Sequence, residues 1–164
     1  MKVIVTGGTG FVGCHTVSKL IADGHEVRLF VRSESRVVSA LAPLDVSSSS
    51  VQIVRGDVTD RVSFRGALEG MDALIHVASV YTMDKRRAEE IYTTNKMGAD
   101  IVLHEAWEAG LDPIVHVSSL AAVLSPNKGS LISPQSPPTP VPVGAYVDSK
   151  AEQEVIARQL QAEG

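Results

Sequence analysis

Tyr146-Val-Asp-Ser-Lys150 places a phenol and an ammonium four residues apart. On a helix, positions i and i+4 share a face, so the two groups sit side by side. A free tyrosine titrates near ~10, too high for efficient proton transfer at neutral pH. A neighbouring cation stabilises the phenolate and lowers that value. The spacing therefore suits a proton donor with its tuning partner, and the same amine can hydrogen-bond a ribose. The plain alternative is a surface lysine beside a half-buried tyrosine. Ser118-Ser119 supplies hydroxyls able to hold a carbonyl oxygen. The alternative there is a serine pair that ends a strand through local backbone bonds.

A second constellation lies at the start of the chain. Thr6-Gly7-Gly8-Thr9-Gly10-Phe11-Val12-Gly13 follows the apolar run Val3-Ile4-Val5 directly. Strand, glycine turn and helix in that order present bare backbone N–H groups at a positive helix end, which suits a pyrophosphate. Two registers are possible: Gly8-x-Gly10-x-x-Gly13, or the wider Gly7-x-x-Gly10-x-x-Gly13 with its leading threonine. Both glycine patterns allow the turn and a close backbone approach to a ligand.

These residues need a scaffold, and the rest of the pattern provides one. Short β-branched runs at Lys2–Thr6, Glu26–Val31, Val51–Arg55, Ala73–Val77 and Ile114–Val117 alternate with helical stretches at 12–23, 33–41, 60–69, 88–109 and 143–162. The runs are nearly continuously apolar, as in parallel strands covered on both faces. Right-handed crossovers then predict an α/β, three-layer Rossmann fold with a doubly wound parallel sheet ordered 3-2-1-4-5. Residues 1–164 are expected to form a single NAD(P)-binding domain. The 125–143 segment breaks the rhythm with Pro126, Pro134, Pro137, Pro138, Pro140 and Pro142. It is expected to be irregular, a loop on the substrate side.

Composition narrows the function classes. A net charge of −4 gives no argument for nucleic acid. No apolar run reaches the ~18 residues of a membrane span. The chain enters a strand at once, so no signal peptide is expected. A lone cysteine, Cys14, forms no internal disulfide and fits a reducing cytoplasm; it reads as a packing residue. The five histidines and the carboxylates show no metal-ligand spacing, so no metal is expected.

Together these residues resemble the extended (atypical) branch of the short-chain dehydrogenase/reductase superfamily, the NAD-dependent epimerase/dehydratase family. The matching elements are Thr6-Gly7-x-x-Gly10-x-x-Gly13, Gly56-Asp57-Val58, His76-Val77-Ala78-Ser79, Asn95, Ser118-Ser119 and Tyr146-x-x-x-Lys150. The resemblance implies that Gly7, Thr9, Gly10, Phe11, Val12 and Gly13 hold the pyrophosphate. It places Asp57 and Val58 at the adenine, and Val77, Ala78 and Ser79 along the cofactor beyond the fourth strand. Asn95 supports the cofactor-side network. Ser119 is the better match to the catalytic serine, Tyr146 is the general acid/base, and Lys150 is its partner and ribose ligand. The branch runs to about twice this length, so the chain resembles its N-terminal cofactor half, without the C-terminal substrate lobe.

Coenzyme choice has a physical argument. An NAD enzyme places a carboxylate about 20 residues past the last glycine to bind the ribose 2′-hydroxyl. Here the position falls on Val31, and Arg32 follows. With no carboxylate to repel a 2′-phosphate and a guanidinium able to bind it, NADP is expected, with NAD as the alternative. The implied function is an NAD(P)-dependent carbonyl reductase or alcohol dehydrogenase, dihydroflavonol-reductase-like, acting on a small-molecule substrate. Two alternatives remain open: an NAD-dependent sugar-nucleotide epimerase or dehydratase, and a non-catalytic dinucleotide-binding module. The family pairs its fourth and fifth helices across a dimer axis. Ile101, Trp107, Val147, Val155 and Ile156 make a homodimer one reading and burial against the sheet the other.

Overall fold

A computed structural model describes residues 1–82, 84–124, 129 and 131–163. Five strands build one parallel sheet: β1 (Lys2–Thr6), β2 (Glu26–Val31), β3 (Val51–Arg55), β4 (Ala73–His76) and β5 (Ile114–His116). Their order is β3-β2-β1-β4-β5, as the pattern predicts. β4 and β5 each end one residue earlier than expected. Val77 and Val117 lie just past the last paired positions but still donate to Thr6 and His76 carbonyls.

By its contacts the chain divides into two units, Met1–Ala78 with Ile101–Val117, and Ser79–Asp100 with Ser118–Gly164. The first holds the sheet. Successive side chains of a strand point to opposite faces. Val3 and Val5 of β1 and Val27, Leu29 and Val31 of β2 pack with Cys14 and Val17 of α1 (Phe11–Ala22) and with Val37 and Leu41 of α2 (Ser35–Leu41). On the other face Phe30 meets Phe64 of α3 (Arg61–Ala67) edge to face at 5.2 Å. A third layer is completed there by α5 (Gly98–Glu108), because its Glu105 carboxylate is held by Arg61 and Arg65 of α3. Cys14 is buried in the first face's core, and its thiol donates to the Phe11 carbonyl at 3.2 Å, so packing explains it. Asp60 caps α3 by accepting from Val62 and Ser63.

The second unit is built around helices. The predicted helix over 88–109 is continuous in the chain but not uniform: α4 (Ala88–Ile91) runs into a π-helical stretch, Tyr92–Met97, before α5 begins. A 3-10 turn, Leu120–Val123, and the last helix, α6 (Ala145–Glu163), complete the unit. α6 packs against both that turn and the π stretch. The described part of the proline-rich segment is irregular, as expected; Pro126 lies outside the described residues. Thr139 ties it down. Its N–H donates to the Ala122 carbonyl at 2.7 Å, its hydroxyl donates to the Ala121 carbonyl at 2.8 Å, and it accepts from the Leu124 N–H at 2.6 Å.

Candidate functional site

In the first unit the parallel register brings the strand ends to one edge. Thr6 pairs with Phe30 and His76, and Val31 with Arg55. The segments that follow, from Gly7, Arg32, Gly56 and Val77, therefore leave the sheet at that same carboxyl edge, where ligands bind in such folds. Gly7 adopts φ +72°, and a Cβ there would lie 2.5 Å from the Ala78 nitrogen. A Cβ on Gly13 would lie 2.1 Å from the Gly7 carbonyl oxygen. At Gly8 the nearest atoms belong to side chains, those of Leu29 at 2.7 Å and Val17 at 3.3 Å, and not to the backbone. The backbone demands glycine at Gly7 and Gly13, and this favours the wider register.

α1 starts without help from side chains. Its N-cap is Gly10, no side chain caps it, and no acid occupies its first turn. The first intrahelical bond runs from Cys14 N–H to Gly10 O at 2.8 Å, so the N–H groups of Phe11, Val12 and Gly13 lack helical acceptors. A cradle that a Cβ would fill, joined to an uncapped helix end, fits the diphosphate of a dinucleotide. Phe11 is 81 % exposed and Val12 is exposed beside it. Thr9 is half-buried on the same turn.

The other expected contacts fall as follows. Arg32 is exposed just after β2. Asp57 is half-buried, and its carboxylate accepts from the N–H and hydroxyl of Thr59 at 2.9 and 2.7 Å, which shapes the turn after β3. Val58 is buried. Val77 and Ala78 are half-buried after β4. Thr6, not anticipated from sequence, is fully buried; its hydroxyl lies 2.7 Å from His76 Nδ1 and accepts from the Ala78 N–H at 3.3 Å. It anchors the backbone against which Gly7 lies.

The second unit contains Ser79, Asn95, Ser119, Tyr146 and Lys150. Ser79 is exposed. Asn95 sits in the π stretch with no exposed surface. Its amide oxygen accepts from the Val80 N–H at 2.7 Å, and its nitrogen donates to the Val80 carbonyl and the Ser149 hydroxyl, each at 3.0 Å. Gln153 donates to the Asn95 carbonyl at 2.6 Å. Asn95 thus clamps the segment after Ser79 to α6, and its contacts are with protein atoms.

α6 carries Tyr146 and Lys150 one turn apart. Asp148 reaches back to accept from the N–H groups of Val143 and Gly144 at 2.7 and 3.2 Å, which fixes where the helix begins. Tyr146 is half-buried and meets Tyr81 edge to face at 4.8 Å. Lys150 is 3 % exposed. Burial pushes its amine down to about 8, while the Glu154 carboxylate acts in the opposite direction. The two serines divide their roles. Ser118 donates its only proton to Glu154 Oε2 at 2.5 Å. Ser119 accepts from the Ala121 N–H at 3.1 Å, and accepting leaves its own proton able to donate. Sequence reasoning missed Glu154, although its place four residues after Lys150 was the available signal.

The family description 3-beta hydroxysteroid dehydrogenase/isomerase matches residues 4–161. The chain belongs to this family. Among curated proteins it is 37 % identical over 144 residues to sterol demethylase protein B of Methylococcus capsulatus, covering 85 % of this chain and 42 % of that one. It is 32 % identical over 165 residues to a farnesyl dihydroquinoline-oxide ketoreductase of Stigmatella aurantiaca, covering 100 % of this chain and 47 % of that one. Among solved structures, the dTDP-glucose 4,6-dehydratase DesIV of Streptomyces venezuelae, with NAD bound, superposes with a TM-score of 0.81 at 31 % identity, over 99 % of this chain and 52 % of that one. The family member described here spans about half the length of the curated relatives it matches. Among its described residues no helix is long and apolar enough to cross a membrane, and no three His, Cys, Asp or Glu gather as a metal site.

Proposed function

We propose that the chain is the NAD(P)-binding portion of an oxidoreductase that interconverts a carbonyl and an alcohol on a small or mid-sized organic substrate. The observation that carries this reading is Lys150, buried to 3 % exposure one helical turn after a tyrosine. Lysines are rarely that buried without a task for the charge. With an amine that titrates near 8, a small change in surroundings moves it between charge states at working pH.

The roles follow from chemistry. The backbone N–H groups of Phe11, Val12 and Gly13 bind the diphosphate, and Arg32 takes the 2′-phosphate of NADP. The nicotinamide, when bound, supplies or accepts hydride. Tyr146 gives its phenolic proton to the carbonyl oxygen and takes it back in the reverse direction. Ser119 donates a hydrogen bond to that same oxygen and orients it. Lys150 stabilises the phenolate that remains on Tyr146 and hydrogen-bonds a ribose hydroxyl. Asn95 holds its neighbours in place. Residues 1–164 act in this reading as one dinucleotide-binding domain with the 125–143 segment beside the substrate. The reading extends to a cytoplasmic protein, and to a homodimer through the fourth and fifth helices, of whose apolar positions Trp107 and Val155 are exposed.

A second reading, epimerisation or dehydration of a sugar nucleotide, is supported by the 31 % identity to the dehydratase. The test is made on the intact protein with NADPH, NADH and a carbonyl panel. Tyr146→Phe is expected to abolish turnover and leave cofactor affinity within about twofold. Full turnover by that variant overturns the assignment. A tightly held NAD that survives purification, with no net consumption of reduced cofactor, favours the second reading.

A further inference from the structure

Tyr146, Lys150, Glu154 and Arg158 recur every four residues along α6 and so form a single stripe. Glu154 is its centre. Its carboxylate accepts from the Ser118 hydroxyl at 2.5 Å through Oε2 and from Arg158 Nε at 2.7 Å through Oε1. Arg158 in turn donates from its NH2 group to the carbonyl of Pro134 at 3.0 Å. The Glu154 side chain is mostly buried, at 15 % exposure. Ser118, Ser119, Pro134, Glu154 and Arg158 line one depression of about 530 Å³, with Ile132 on its wall.

We infer that Glu154 is a positioning residue: through Ser118 it fixes the backbone that presents Ser119, and through Arg158 it holds the Pro134 segment to the same helix. This rests on the oxidoreductase reading, in which Ser119 orients the carbonyl. Ser118 and Ser119 are consecutive, so a bond that pins one restricts the φ/ψ freedom of the other. The pin is a charge-assisted O–H···O⁻ bond, the stronger kind. Among the described residues the hydrogen bonds of Ser119 are local: its hydroxyl accepts from the Ala121 N–H and its carbonyl from the Ala122 N–H at 2.9 Å, and both set the 3-10 turn. That turn packs against the helix bearing Tyr146 and Lys150, and the hydrogen bond to that helix comes from the neighbouring serine. A hydroxyl misplaced by about an ångström costs a large share of the rate while ground-state binding is largely kept.

The experiment uses the intact protein and two independent readouts. The first is amide hydrogen exchange over 118–124, which needs no activity. Glu154→Ala and Ser118→Ala break the same bond from its two ends. Each is expected to raise exchange there at least tenfold, and the double variant to add little to either single one. Glu154→Gln keeps an acceptor for Ser118 and is expected to restore most of the protection. The second readout is kinetic: both alanine variants lower kcat about 10- to 100-fold with KM for the cofactor unchanged, and Glu154→Gln recovers most of that loss. If Glu154→Ala does not fold, Ser118→Ala carries the same prediction. Unchanged exchange in either alanine variant, or additive losses in the double variant, overturns the inference. Altered exchange in a protein that turns over no carbonyl with either coenzyme overturns the oxidoreductase reading and leaves the pin intact.

Discussion

Gly13 and the Gly7 carbonyl oxygen approach so closely that a Cβ on Gly13 would stand 2.1 Å away. Real Cβ atoms do not come that near to backbone oxygen, so the turn must open if Gly13 gains a side chain. Gly13→Ala is therefore expected to lose most cofactor affinity and to lower the melting temperature by several degrees. Gly8→Ala meets side chains and not backbone, Leu29 at 2.7 Å and Val17 at 3.3 Å, and should cost less on both counts. Fluorescence titration and thermal denaturation of the two variants decide which glycines define the motif; equal damage would reverse the assignment of register.

Arg32 lies exposed beyond β2, where a 2′-phosphate would be read. Arg32→Asp is expected to weaken NADPH at least tenfold and to spare or improve NADH, because a carboxylate repels the phosphate and accepts from a free 2′-hydroxyl. Equal response of the two coenzymes in titration would show that Arg32 does not read the phosphate.

Lys150 carries a worked dependence on pH. Its folded value is about 8, below the usual ~10.4 of an unfolded chain. Between those values the unfolded state binds more protons, so stability rises as pH increases from about 8 to about 10.4. The burial penalty is fully present below 8. Lys150→Met removes the titration. Its stability relative to the parent protein should accordingly be higher at pH 7 than at pH 10.5, while its turnover is lost. Chemical denaturation at the two pH values measures this, and an unchanged difference would show that Lys150 is not the group responsible.

Glu105 shows the opposite sign. Its carboxylate is 1 % exposed and held by Arg61 and Arg65, and hydrogen bonding from Arg65 keeps it below the usual carboxylate range. That contribution is complete above the unfolded value near ~4.3 and is lost as pH falls through the lower folded value. Glu105→Gln should destabilise the protein at pH 7 and bring little further loss in acid, where the parent protein also loses the pair. Melting curves from pH 7 to pH 3 test it; parallel curves would exclude the ion pair as the cause.

Much of the scaffold was readable from local pattern. β1, β2 and β3 begin and end where their β-branched runs do; for the central β1 and β2 both faces are covered and the apolar signal is nearly continuous. The strand order is that of a doubly wound sheet, to which right-handed crossovers and strand–helix alternation point. The glycine turn was readable as a motif but not in its register, since the sequence offers Gly7, Gly8, Gly10 and Gly13 on equal terms. Only the distances from Gly7 to Ala78 and from Gly13 to Gly7 separate the glycines the backbone requires from the one it tolerates.

The π stretch at Tyr92–Met97 had no local signal, and the partners of its Asn95, Ser149 and Gln153, lie some fifty residues on in α6. The same is true of the serines. Side by side in sequence, they are chemically alike, and their partners make them different: Glu154 takes the proton of Ser118, while Ser119 accepts from the Ala121 N–H. Periodicity and residue type are properties of neighbours along the chain, and they were enough for most of the elements and their order. Partners of buried polar atoms are chosen by groups distant in sequence, so the state of Lys150, the clamp on Asn95 and the division between Ser118 and Ser119 were settled only by tertiary packing.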